Sequence, residues 1–189
     1  MKRTFMVTMI LLAMAASSVL AEPIANKWIL TPRVGYLYMT SNDDGEEFNG
    51  YSASLSIERN VYGQNYALGF QAGYAWATDE IVPDEGETFD IDHTSIPVIT
   101  TFKYMFGNLR WTGHLGFGVG VHYSTVKAPD VAWEEESIWG FAMAAPLGVM
   151  FWVTENVNID LAYQFNWLLS SYLSDDASHM VNLGVGFQF

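Results

Sequence analysis

The sequence predicts an all-β chain, an eight-stranded antiparallel up-and-down barrel that crosses a membrane. Three observations carry this expectation. Eight segments alternate apolar residues with small or polar ones at a period of two. The second face of those segments holds mostly Gly, Ala, Ser, Thr, Asn and Gln, a poor surface for water and a good filling for a narrow lumen. Large aromatic side chains sit near the segment ends on the apolar face, as they do where a lipid-facing band meets water.

The first element is not part of the barrel. Lys2 and Arg3 precede the short apolar run "FMVTMILLAMAA", and "SSVLA" then places Val19 and Ala21 where a signal peptidase reads small residues. Residues 1–21 therefore read as a cleavable secretory signal, and residues 22–189 as the barrel. Without Lys2 and Arg3, six basic residues face 21 acidic ones, a formal charge of −15. Such a surface repels phosphate backbones, which excludes a nucleic-acid binder. There is no Cys, which excludes a disulfide scaffold and a thiolate metal site. No uncharged apolar run of about 18 residues follows residue 21, so no membrane helix is expected there.

The strands follow in order. "WILTPRVGYLY" puts Trp28, Leu30, Pro32, Val34, Tyr36 and Tyr38 on one face. "YSASLSIE" alternates from Tyr51 to Ile57, and "YALGFQAGYAW" from Tyr66 to Trp76. "IPVITTFKY" carries Ile96 to Tyr104, and "HLGFGVGVHY" sets Leu115, Phe117, Val119, Val121 and Tyr123 against His114, three glycines and His122. "WGFAMAAPLGVMF", "VNIDLAYQFNW" and the C-terminal "VNLGVGFQF" complete the set. Trp28, Trp111 and Phe187 mark one girdle; Tyr38, Trp76, Trp139 and Trp167 mark the other. Pro32, Pro97 and Pro146 fall inside strands, where a missing N–H predicts a bulge or a local gap in the ladder.

The connections alternate between short (59–65, 106–109, 153–156) and long (40–50, 77–94, 125–138, 168–179). An even strand count puts both termini on the side of the short turns, the periplasmic side. The long links hold 17 of the 21 acids, so the acidic face is the extracellular one.

The segments "TPRVGYLY", "IPVITTFKYMFG", "TENVNIDLAYQF" and "VNLGVGFQF" resemble the small eight-stranded outer-membrane barrels, the family of the OmpA transmembrane domain and OmpX. The resemblance covers the whole of 22–189. It implies a cell outer-membrane location and embedding in outer-membrane lipid and lipopolysaccharide. It also implies that the last strand, with Phe187 and Phe189, is an address read by the outer-membrane assembly machinery, presented as a free edge for β-augmentation. A monomer is expected, with a further extracellular surface partner.

Fold alone does not give function. One candidate site is a set of inward charges toward the periplasmic half: Arg33, Glu58, Lys103, Arg110 and Asp160. Paired, they would plug the lumen or gate a narrow solute channel; the many inward glycines argue for space, the eight-strand diameter for a plug. A second is His122 and Ser124, two apart and so on one face, with Glu136 in the following link. The spacing is similar to that of outer-membrane lipid A deacylases, which implies an esterase as the alternative function. Thr125 stands where that family has Asn, and the register points His122 and Ser124 into the lumen rather than toward lipid. "GFGVG" is followed by no helix and is not a dinucleotide fingerprint. Neither His93, His114, His122 and His179 nor the acidic links show metal-ligand spacing, so no metal or cofactor is expected. The leading expectation is a non-enzymatic outer-membrane protein that works through acidic extracellular loops, in surface interaction or envelope integrity.

Overall fold

A chain whose every second side chain is apolar folds stably in lipid only if its backbone groups pair with one another and no edge is left open. The computed structural model describes residues 27–40, 47–61, 65–81, 89–107, 110–127, 136–169 and 176–189. Residues 1–21, expected from the sequence to be a secretory signal, lie outside them. Among the described residues, eight strands run β1 Trp28–Thr40, β2 Glu47–Val61, β3 Tyr66–Ile81, β4 Phe89–Gly107, β5 Trp111–Lys127, β6 Glu136–Trp152, β7 Val157–Leu169 and β8 Asp176–Gln188. Each pairs antiparallel with the next, and β1 pairs with β8 to close the barrel. The seam is tied at its last residue: Trp28 and Phe189 exchange backbone N–H···O bonds of 2.9 and 3.0 Å.

The faces divide as the alternation predicts. Along β7 every second residue from Asn158 to Leu168 is buried. The outward residues include Val34, Leu55, Phe70, Val121, Leu161 and Leu183, about half exposed or more. An unbroken apolar wall of this kind is stable against hydrocarbon and not against water. Aromatics ring it at both ends. Trp28, Tyr66, Trp111 and Phe187 point outward near the termini, and the Trp111 and Phe151 rings lie 4.6 Å apart in a tilted arrangement. At the other end Tyr51 lies 5.9 Å from Trp76, and Tyr123 lies 5.1 Å from Trp139. Tyr38 and Trp167 also point outward at this end.

The strands are longer than the alternating segments. They run 13 to 19 residues, against the roughly 9–11 that a tilted crossing needs. Residues 47–50, 77–81, 89–94, 125–127, 136–138, 168–169 and 176–179, expected in long links, belong to the ladder. The long links shrink to 41–46, 82–88, 128–135 and 170–175, which lie outside the described residues. Above the membrane both faces of a strand meet water, so hydrogen bonding continues where the apolar signal stops. Strand β4 ends at Gly107, whose φ of +125° is a conformation that L side chains rarely adopt.

Each in-strand proline leaves a gap and not a bulge. Pairing of β1 with β8 skips from Leu30↔Phe187 to Arg33↔Gly184 around Pro32. Pairing of β3 with β4 skips from Ala72↔Val98 to Ala75↔Ser95 around Pro97. Pairing of β5 with β6 skips from Leu115↔Leu147 to Gly118↔Ala144 around Pro146. The register is the same on both sides of every gap, and each proline keeps its partner on the other neighbouring strand. A missing donor thus interrupts one ladder locally without inserting a residue.

Candidate functional site

Inward side chains fill the barrel in layers. Ala67, Met105 and Met150 form a small apolar cluster toward the termini. Leu37, Met39, Ile99, Leu168 and Met180, with four alanines, form a larger one toward the extracellular end. Between them lies a chain of charges. Lys103 Nζ donates to Glu58 Oε1 at 2.5 Å. Arg33 Nη2 stands 3.8 Å from the same oxygen, and Arg33 Nε donates to Asp160 Oδ2 at 2.6 Å. His114 Nε2 contacts Asp160 Oδ1 at 3.1 Å, and Arg33 Nη1 donates to Ser56 Oγ at 2.7 Å. All five charged or ionisable residues are 6% exposed or less.

Such a cluster is stable only when each charge has a partner, because desolvation costs several kcal/mol per ion, roughly, and is offset by short contacts alone. The sequence supplies space for those contacts with small residues on the adjacent strand. Arg33 faces Gly184, Glu58 faces Gly69, Lys103 faces Gly116 and His114 faces Gly148. A Cβ at Gly184 would come within 2.7 Å of Arg33 Cγ, and one at Gly116 within 2.8 Å of Lys103 Cγ. The inward glycines therefore do not leave the lumen open at this level. Their space is taken by the charged side chains.

Four of the five expected lumen charges meet in this cluster. Arg110 does not: it is exposed in the turn between β4 and β5, where its carbonyl accepts from Trp152 N. Strand β5 begins one residue later, so the turn carries Arg110 out of the barrel. Lys103 and Asp160 belong to one cluster but are joined through Glu58 and Arg33. His114 was missed. It is an inward residue of β5 that completes the coordination of Asp160, and its position on the inward face was the available signal. The apolar layers were missed too. Leu37 stands between the outward Tyr36 and Tyr38, and Met39 follows Tyr38, so both faces of "YLYM" are apolar, and that break in the alternation marks them.

A polar ladder runs above the charges. Gln71 Nε2 donates to Gln164 Oε1 at 3.1 Å, Gln164 Nε2 to Asn166 Oδ1 at 2.7 Å, and Asn166 Nδ2 to Ser178 Oγ at 3.1 Å. His122 and Ser124 are both buried in the interior, with His122 Nδ1 2.9 Å from Ser124 Oγ and Ser95 Oγ 3.4 Å beyond. Glu136 is not in a link but is the first residue of β6, opposite Val126 and two pairs beyond Ser124↔Ile138. Its side chain is outside the described residues. Among the described residues no group of three or more His, Cys, Asp or Glu is placed to hold a metal ion.

Known proteins sharpen this picture. The family model for the outer membrane protein beta-barrel domain matches residues 7–189. No match was found among curated proteins. Among solved structures, the chain is similar to Neisserial surface protein A, at 18% identity and TM-score 0.63, covering 86% of this chain and 97% of that one. It is similar to Ail, the attachment invasion locus protein of Yersinia pestis, at 17% identity and TM-score 0.54, covering 88% and 100%. It is also similar to the outer membrane enzyme PagL, at 16% identity and TM-score 0.51, covering 82% and 97%. At these identities the likeness is one of fold, and that fold is shared by a surface protein, an attachment protein and an enzyme. The matched length, the closed eight-strand ladder and the lipid-facing wall agree: the chain belongs to the outer membrane protein beta-barrel domain family and is a protein of the cell outer membrane.

Proposed function

We propose that this barrel is non-enzymatic and acts through its acidic extracellular end, binding basic or cation-bridged surfaces outside the cell. One observation carries the reading: 17 of 21 acids fall in or beside the four links that follow β1, β3, β5 and β7, whose flanking strand ends are opposite the termini. There Lys127 is the one Lys or Arg in 37–50, 75–95, 123–139 and 167–180. A field of one sign at a protein end draws counter-charged partners and weakens as salt screens it. The layered filling of the lumen argues against a solute channel.

Labelled poly-lysine should bind cells that display the protein and should be released by salt. Replacing 41–46 and 82–88 with Asn-Gly turns removes six of the acids, Asp43, Asp44, Glu46, Asp84, Glu85 and Glu87, without cutting into any strand. The trimmed barrel should keep heat-modifiable migration on a gel and lose most of the binding. Undiminished binding by a folded, trimmed barrel would move the function off the acidic end.

The enzymatic alternative takes its interest from the 2.9 Å contact between His122 and Ser124. Both are 3% exposed on the lumen side of β5, while the ester of a membrane lipid lies outside the wall. Lipid A extracted from cells with and without the protein should therefore show the same acyl pattern by mass spectrometry. Loss of an acyl chain that depends on Ser124 would make the protein an esterase.

A further inference from the structure

We propose that a cleft on the outer wall of β3, β4 and β5, at the extracellular membrane boundary, binds the phosphorylated saccharide headgroup of one outer-leaflet glycolipid. The cleft has a volume of about 470 Å³ and is lined by Tyr74, Trp76, Ala77, Thr78, Asp92, His93, Thr94 and Lys127. Ala77 and His93 belong to the inward set of their strands, so their backbone forms the floor. The other lining side chains are on the outward set and form the walls.

The register orders these walls along the membrane normal. Thr78, Asp92 and Lys127 are cross-strand neighbours in one row. The next row toward the membrane holds Trp76, Thr94 and Thr125. Below it come Tyr74, Ile96 and Tyr123, beside the gap that Pro97 leaves between β3 and β4. The polarity therefore falls from charged, through hydroxyl and indole, to aromatic and aliphatic over three rows. That is the polarity profile of a lipid at the boundary, headgroup above and acyl chains below.

The cleft is also a notch in the aromatic belt. Tyr74 and Trp76 stand on one side at 5.6 Å from each other, and Tyr123 and Trp139 on the other at 5.1 Å. On β4 the belt is replaced by Thr94 and Asp92, which are already positioned by hydrogen bonds: Thr78 Oγ1 donates to Asp92 Oδ1 at 2.9 Å, and Thr94 and Thr125 share a bond of 2.5 Å. An indole face beside a carboxylate and hydroxyls suits a sugar ring, with C–H groups against the ring and hydroxyls donating to the carboxylate. Lys127 supplies the charge for a phosphate. It is the one Lys or Arg at an end dominated by acids, so an anionic headgroup is attracted here and repelled elsewhere on the rim.

The test uses the full barrel refolded in detergent, with native mass spectrometry of added lipid A (the acylated, bis-phosphorylated glucosamine disaccharide) and folding checked by heat-modifiable migration. One lipid A should be retained by the wild type. Trp76→Leu should weaken it about tenfold or more, the scale of losing one well-packed aromatic contact. Lys127→Met should abolish the preference for bis-phosphorylated over dephosphorylated lipid A, and Trp167→Leu, a belt change on β7 away from the cleft, should leave retention unchanged. Should Trp76→Leu fail to fold, Lys127→Met and Thr78→Val read the same site. Equal retention by wild type and the cleft variants would overturn the proposal. So would equal weakening by Trp167→Leu, which would indicate a general belt effect. Binding of the free, deacylated disaccharide bisphosphate as tight as that of lipid A would also overturn it, by showing a site for a soluble sugar phosphate.

Discussion

Replacing Arg33 by Met should lower the stability of the barrel by about 3–5 kcal/mol, read as a shift of the urea midpoint in detergent or lipid. Met fills a similar volume but takes away the cation between Glu58 and Asp160. Asp160 is fully buried and keeps only its contact with His114, while Glu58 keeps Lys103. A buried carboxylate without its cation bears its full desolvation penalty. Adding Asp160→Asn to Arg33→Met should restore most of the loss, since Asn retains a hydrogen-bonding group for His114 without the charge. The same logic separates direct from indirect partners. Lys103→Met should couple strongly to Glu58→Gln, at 2.5 Å, and weakly to Asp160→Asn, which it reaches through two other residues. Identical midpoints for Arg33→Met with and without Asp160→Asn would show that the cluster does not act as a paired plug.

Deleting Phe189 should abolish most outer-membrane accumulation in cells while leaving refolding in detergent largely intact. In the finished barrel Phe189 is peripheral. Its side chain is 65% exposed on the outer wall, and its backbone makes the two bonds to Trp28 that end the seam. Their loss costs about 0.5–1.5 kcal/mol each, small against a ladder of eight paired strands. Before closure the situation differs. The last strand then has an unpaired edge, and an alternating strand ending in an aromatic is what β-augmentation by an assembly partner would recognise. Cell fractionation should find the truncated chain degraded from the periplasm. Normal insertion would end the address reading, and failure to refold in detergent as well would make Phe189 a closure residue instead.

Much of the fold was legible because lipid leaves a period-two record. Leu161, Tyr163, Phe165 and Trp167 had to share one face whatever their neighbours, and the even strand count followed from counting such segments. The lumen was legible only as a list. Arg33, Glu58, Lys103 and Asp160 could be placed inside, but a register shift of two residues keeps every face and changes every partner. Arg33 and Asp160, 127 residues apart, meet because both pair with Gly184 on β8, one from each side. That is a property of closure. Arg110 was misplaced for the opposite reason, since one residue at a strand end separates the lumen from the turn. The extents of β4 and β6 were underestimated because the apolar signal follows the membrane and the ladder does not. Sequence alone thus determined which side chains face lipid, which face inward and which end is acidic, since burial in lipid acts on each residue singly. The tertiary structure alone decided which charges pair, how the lumen is layered and where Trp76, Asp92 and Lys127 form a cleft, since each depends on how three or more strands are set against one another when the barrel closes.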